Sequence, residues 1–188
     1  MRDKITKLLM ETGRDGMEDL LGAMDVWGFF EAPCSGGNHL CKPGGLAEHS
    51  LNVFETAMTL AQALPGVDMW KLDSVAISAL LHDLGKVGDY GRPMYVENIL
   101  KSGKQSESKP YKRNPDLTAV PHAVRSIKLA TLYIDLTEDE EWAILTHDGL
   151  YDFMKYDIKG HETWLSLIIH WADMWSSHIL EGAGGADE

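Results

Sequence analysis

Apolar residues recur at helical spacing along most of the chain. Met17, Leu20, Leu21, Met24 and Trp27 give a helix over residues 14–30 one apolar face. A turn-rich stretch follows over residues 32–45, with Pro33, Gly36, Gly37, Pro43, Gly44 and Gly45. A long helix is expected over residues 45–64, stopped by Pro65-Gly66. The run VAISALLHDLGK predicts a buried helix, with Asp73 or Ser74 as its cap. Thr137-Glu138-Asp139-Glu140 has capping-box spacing and opens the helix that carries Trp142, Ile144 and Leu145. The last helix is expected over residues 162–180, before a frayed GAGGADE tail. The helical pattern breaks over residues 87–121, which hold Gly88, Gly91, Pro93, Gly103, Pro110, Pro115 and Pro121. Two extended pieces there, residues 94–100 and 109–113, can pair as a hairpin across SGKQSES. The expected architecture is all-α: a helical bundle with a small β-hairpin or loop excursion. It forms one domain over residues 1–188, with its core at about residues 20–181 and a flexible tail at 182–188.

The 188 residues fit one compact domain. With 44% hydrophobic and 24% charged residues, the chain is neither disordered nor collagen-like. No apolar run is long enough to span a membrane. The charged start, MRDKITKLLMETGRDG, does not read as a signal peptide, so a cytoplasmic location is expected. A net charge of −12 argues against long nucleic acid as a partner. The charge is uneven, however. Residues 86–128 hold nine Lys and Arg against four acids, a local +5, and leave −17 elsewhere. A positive patch on an acidic body suits a small anionic ligand. Cys34 and Cys41 are too few for a disulfide framework, and a reducing compartment fits. With His39 between them they form an incomplete zinc set that lacks a fourth ligand.

The chemistry concentrates in the histidines. His82-Asp83 ends the apolar run SALLHDLGK, where a buried polar pair is costly unless it is paired or metal-bound. His49, in GGLAEHSLNVFETA, lies at a helix start facing the same core. Asp173, in LSLIIHWADMWSSHIL, is an acid inside an apolar helix and needs a counter-charge. His49, His82, Asp83 and Asp173 therefore read as a cage closed from three helices, a ligand set suited to Mn, Fe, Co, Ni or Zn. Their order, H…HD…D, resembles that of the HD-domain metal-dependent phosphohydrolases. The contexts GGLAEHSLNV, LLHDLGK and IHWAD resemble the subgroup that includes 3′–5′ exoribonuclease HD domains.

The resemblance implies an HD-domain fold over nearly the whole chain and divalent metal ions, two of them, with Mg a candidate beside the ions above. Members that bind two ions insert two more histidines, and His122 and His147 match those positions. Asp83 would then bridge the ions, with His49, His82 and Asp173 on one and His122 and His147 on the other. The implied activity is hydrolysis of a nucleotide or small phosphate ester through a metal-activated hydroxide. Asp83 and Lys86 would be catalytic. Alternatives on the same ligands are a 3′–5′ phosphodiesterase acting on short oligonucleotides, a di-iron oxygenase of the HD type, and a non-catalytic nucleotide sensor.

Spacing adds further candidates. Lys86 stands one turn from Asp83 and Arg125 one turn from His122, so both are expected to face the cleft and hold phosphate. The resembling subgroup also has a histidine just before GGL, which makes His39 a candidate phosphate contact. His170, three residues before Asp173, is expected to orient it. Glu48 is a weaker acid–base candidate. Trp164, Trp171 and Trp175 form a stripe expected to pack in the core.

Overall fold

The computed structural model describes residues 1–89, 91–149 and 155–182. The expected tail therefore lies, beyond Gly182, outside the described residues. Eight α-helices are present among those described: α1 (Arg2–Glu11), α2 (Met17–Val26), α3 (Gly45–Ala63), α4 (Leu72–Leu81), α5 (His122–Ala130), α6 (Glu138–Leu145), a short α7 (Lys155–Ile158) and α8 (Trp164–Trp175). Tight 3₁₀ turns at Met69–Lys71 and Leu84–Val87 flank α4, and a π-helical turn, Ser176–Leu180, extends α8. Strands β1 (Tyr95–Glu97) and β2 (Tyr111–Arg113) form the expected antiparallel hairpin, with Tyr95 opposite Arg113 and Glu97 opposite Tyr111.

Helix α4 sets the architecture. Every residue from Ser74 to Leu81 is buried, so the helix has no solvent face and must be central. Helix α3 packs along it, α6 and α8 cover a second side, and α1 covers a third. Two apolar clusters result. One joins Ile5, Leu9, Leu20 and Met24 to Leu80, Leu81, Leu84 and Leu129. The other joins Val53 and Ala57 of α3 to Val75, Ala79, Ala143, Leu165, Ile168 and Ala172. Leu80, Leu81 and Leu84 are fully buried on either side of His82-Asp83. Each contributes about 2 kcal/mol of apolar burial, which holds the polar pair inside despite its desolvation cost.

Helix α6 opens with the expected box: Glu140 N–H donates to Thr137 Oγ1 at 3.3 Å and Thr137 N–H to Glu140 Oε2 at 2.8 Å. Three features depart from the sequence pattern. The core reaches further toward the N-terminus than residue 20, because Ile5 and Leu9 of α1 are fully buried. Helix α4 starts at Leu72, so Asp73 lies inside its first turn rather than at its cap. Of the tryptophan stripe only Trp164 packs against the core; Trp171 and Trp175 are exposed, because among the described residues no helix covers that face of α8.

Candidate metal centre

The apolar helix α4 delivers His82 and Asp83 to the middle of the molecule and stops there. His82 is its C-terminal cap, and the chain tightens at once into the turn Leu84–Val87. Ser126 of α5 pins this turn. Its hydroxyl accepts from Gly85 N–H at 2.7 Å and donates to the His82 carbonyl at 2.7 Å. Gly85 has to be glycine, since a Cβ would stand 2.1 Å from the His122 carbonyl oxygen. That contact brings α5, and with it His122, against the His82-Asp83 turn.

Four histidine rings and two carboxylates converge there. His49 Nε2 lies 3.2 Å from His82 Nε2 and 3.1 Å from Asp173 Oδ1. His122 Nε2 lies 3.0 Å from His147 Nε2. Asp83 stands between the two pairs. Its Oδ2 is 3.5 Å from His49 and 3.4 Å from His82, whereas its Oδ1 is 3.2 Å from His122 and 3.6 Å from His147. Asp83 Oδ1 is buried and has no hydrogen bond.

The outward ring nitrogens are fixed. His82 Nδ1–H donates to the Ala79 carbonyl at 2.8 Å, and His147 Nδ1–H to the Ile144 carbonyl at 2.7 Å. A carbonyl only accepts, so both rings carry the proton on Nδ1 and turn a lone pair inward at Nε2. His49 Nδ1 faces the Glu181 carboxylate at 2.9 and 3.1 Å. Lone pairs this close repel unless a cation or proton lies between them. Ligands about 2.0–2.2 Å from one ion stand about 3.0–3.5 Å apart, which is the spacing found here. The donor set therefore fits divalent ions: His49, His82 and Asp173 form one group, and His122, His147 and Asp148 another.

Electrostatics follow the geometry. Burial disfavours charge on Asp83, but Lys86 and His82 hold its carboxyl well below the usual range. Burial likewise opposes ionisation of Asp173, and His49 reverses it. His49 is raised despite burial by the neighbouring Cys34 sulfur, then Asp173 and Glu181, and His147 despite burial by Asp148 and Asp83. His82 is lowered, because burial dominates there.

Lys86 donates to Asp83 Oδ2, so its ammonium is at the centre as the spacing predicts. His39 is close by, with Nε2 3.2 Å from Cys34 Sγ and 3.6 Å from Glu181 Oε2. Burial, then His49 and Lys86, lower its pKa to about 4, which leaves a neutral ring. Cys41 Sγ turns instead to Ser35 Oγ at 3.1 Å.

Arg125 differs from expectation. It is buried, its Nη2 donates to the Thr118 carbonyl at 3.1 Å, and its Nε has no partner. One-turn spacing put it on the His122 face, but its guanidinium reaches the connection before α5 rather than the centre. His170 also differs: its Nδ1 donates to the His147 carbonyl at 2.7 Å, so it steadies the second histidine pair rather than Asp173. The ring lies so close that a Cβ on Gly149 would fall 2.2 Å from it. Glu48 pairs with Lys42 at 2.8 Å.

Sequence reasoning missed Glu181, Asn52 and Asp148. Glu181 is nearly fully buried and also accepts from Asn52 Nδ2 at 3.0 Å. It sits beside a glycine-rich ending that reads as tail, so nothing marks it. Asn52 follows His49 by three residues, and Asp148 repeats the His-Asp dipeptide of the first pair; both were findable.

No curated protein and no solved structure matches the chain. The description of the HD domain family matches residues 46–147, more than half of the chain and a span that contains His49, His82, Asp83, His122 and His147. Members of this family are mostly metal-dependent phosphohydrolases. The buried histidine–carboxylate cluster on a helical scaffold agrees with that match, and the chain belongs to the HD domain family.

Proposed function

We propose that this protein is a dinuclear metal-dependent phosphohydrolase acting on a nucleotide or other small phosphate ester. The observation that carries the reading is Asp83, whose two carboxylate oxygens face separate histidine pairs. His49, His82 and Asp173 would hold one ion, His122, His147 and Asp148 the other, and Asp83 both. Divalent ions bound there would supply Lewis-acid charge and a nucleophile at neutral pH.

The chain's own residues do the rest. The Ala79 and Ile144 carbonyls and the Glu181 carboxylate fix three imidazoles before any ligand arrives, so little reorganisation is needed. Lys86 stays protonated against its burial because Asp83 faces it, and it offers a full positive charge to a phosphoryl oxygen. As the leaving oxygen departs, that charge offsets what accumulates on the phosphoryl group.

The test is metal content together with hydrolysis of p-nitrophenyl phosphate and a nucleotide panel, after chelation and reloading with Mn²⁺, Co²⁺, Ni²⁺, Fe²⁺ or Mg²⁺. About two equivalents should bind, and chelation should abolish turnover reversibly. Asp83→Ala should lose metal and activity together. Full metal content in that variant, or no hydrolysis of any ester by the loaded parent, would overturn the proposal.

A further inference from the structure

The substrate phosphate accounts for Lys86 but leaves two cations unexplained. A cavity of about 350 Å³ lies between the loop at residues 36–38 and the hairpin, lined by Gly36, Gly37, Asn38, Tyr95, Ser108, Lys109 and Arg113. Lys109 and Arg113 make no side-chain hydrogen bond or ion pair among the described residues. No acidic side chain lines the cavity, and Glu97, opposite Tyr111 in the hairpin, lies outside the lining. Two unpaired cations, the Asn38 amide and the hydroxyls of Tyr95 and Ser108 around one hollow are a donor set for an anion.

The cavity is built rather than incidental. Tyr111 N–H donates to the Gly36 carbonyl at 3.2 Å, which stitches the loop to the hairpin. The approach is close: a Cβ on Gly36 would stand 3.0 Å from the Tyr111 carbonyl oxygen, and one on Gly37 3.1 Å from Lys109 Cγ. Tyr95 and Arg113 are direct cross-strand partners and so share a face of the hairpin.

The hollow also adjoins the metal centre. The loop that forms one wall begins at Cys34, whose sulfur is 3.7 Å from Lys86 Nζ, and ends at His39, which reaches Glu181. Burial raises the pKa of the Tyr95 phenol, and the charges of Lys86, Asp83 and Arg113 all act on it. The loop from Cys34 to His39 thus links the ion-binding cluster to the cationic hollow.

We propose that this cavity is a second anion subsite, which takes a phosphate distal to the one cleaved, so that the substrate is a small organic molecule bearing two phosphates. The assignment rests on the phosphohydrolase reading for what happens at the first phosphate, but the subsite itself is tested by binding. A flexible probe series removes any assumption about spacing: the bisphosphates of ethylene glycol, butanediol and hexanediol, each against the corresponding alkyl monophosphate. Affinities for the Mn²⁺-loaded protein are measured by calorimetry, beside p-nitrophenyl phosphate hydrolysis on the same preparations.

At one spacer length or more the bisphosphate should bind about tenfold tighter than its monophosphate. The double variant Lys109→Met/Arg113→Met should erase that ratio. Both side chains are exposed, so its fold, its monophosphate affinity and its p-nitrophenyl phosphate turnover should be those of the parent. Equal affinities at every spacer, or a ratio that survives in the variant, would overturn the subsite. A parent that binds bisphosphates selectively but hydrolyses no ester would leave the subsite standing and remove the phosphohydrolase reading instead.

Discussion

Burying a carboxylate costs several kcal/mol unless opposite charge surrounds it. Asp83 meets that condition with Lys86 on one oxygen, while histidine nitrogens approach both. Because its oxygens serve different histidine pairs, the two proposed ions should be separable by mutation. His122→Ala removes a ligand from one pair and leaves His49, His82 and Asp173 intact. It should lose about one metal equivalent and most of the rate; undiminished metal and turnover would mean a mononuclear site. Glu181 acts through His49 rather than on a ligand directly. Its loss in Glu181→Ala should weaken the ion held by His49, His82 and Asp173 by about 10–100-fold in a chelator competition. Glu181→Gln, whose amide oxygen still accepts from His49 Nδ1–H, should restore most of that affinity. Equal affinity in all three proteins would reduce Glu181 to packing. The contrast with Asp83 shows what sequence carries at this scale. A polar pair inside an apolar run announces itself, whereas a glutamate 132 residues from its histidine does so only once the chain is folded.

Elements were legible where local physics decides them. The hairpin was marked by Gly and Pro and α6 by its box, and both are in place. Helix α1 was not, because its charged residues mask Ile5 and Leu9, whose burial depends on α4 and α2 being there to meet them. The end of α4 was not either, since Ser126 of a distant helix sets it. Gly85→Ala should therefore act at a distance: its Cβ collides with the α5 backbone, shifts His122 and mimics His122→Ala in metal content. Ser126→Ala strands a buried N–H and a carbonyl, and should cost about 2 kcal/mol in denaturant unfolding. A second joint ties α6 to the connection before α2, where Arg14 forks onto Glu140 at 2.9 and 2.7 Å. Burial pushes the Glu140 carboxyl up, but Arg14 and the Thr137 N–H bring it below its usual value. A carboxyl depressed in the folded state binds its proton more readily when unfolded. Its stabilisation is therefore full above about pH 4.3, the unfolded value, and is lost as pH falls through the lower folded value. Glu140→Gln should lower stability at pH 7 and flatten its acid limb relative to the parent. Superimposable acid limbs would show the pair to be energetically idle.

At the scale of the whole molecule, the proposed ligands come from α3, the α4 end, α5, the segment after α6, and α8. Bound ions would therefore cross-link most of the bundle, and the unfolded chain, with its ligands up to 124 positions apart between His49 and Asp173, offers no comparable site. The charge distribution works in the same direction. The body carries −17 outside residues 86–128, so divalent cations relieve self-repulsion as well as filling the centre. A ligand that binds only the folded state stabilises it by about 2.7 kcal/mol at a hundredfold excess over its Kd. For a chain of this size about 2–4 °C in Tm corresponds to each kcal/mol, so Mn²⁺ loading should raise Tm by about 5–10 °C and chelation should reverse it. Non-specific screening would give a rise too, but Ca²⁺-free NaCl at matched ionic strength would reproduce it and Asp83→Ala would not remove it. The specific contribution is the part of the Mn²⁺ shift that vanishes in Asp83→Ala and is halved or better in His122→Ala. A full shift in Asp83→Ala would place the stabilising ions on the acidic surface and detach metal binding from the histidine cluster.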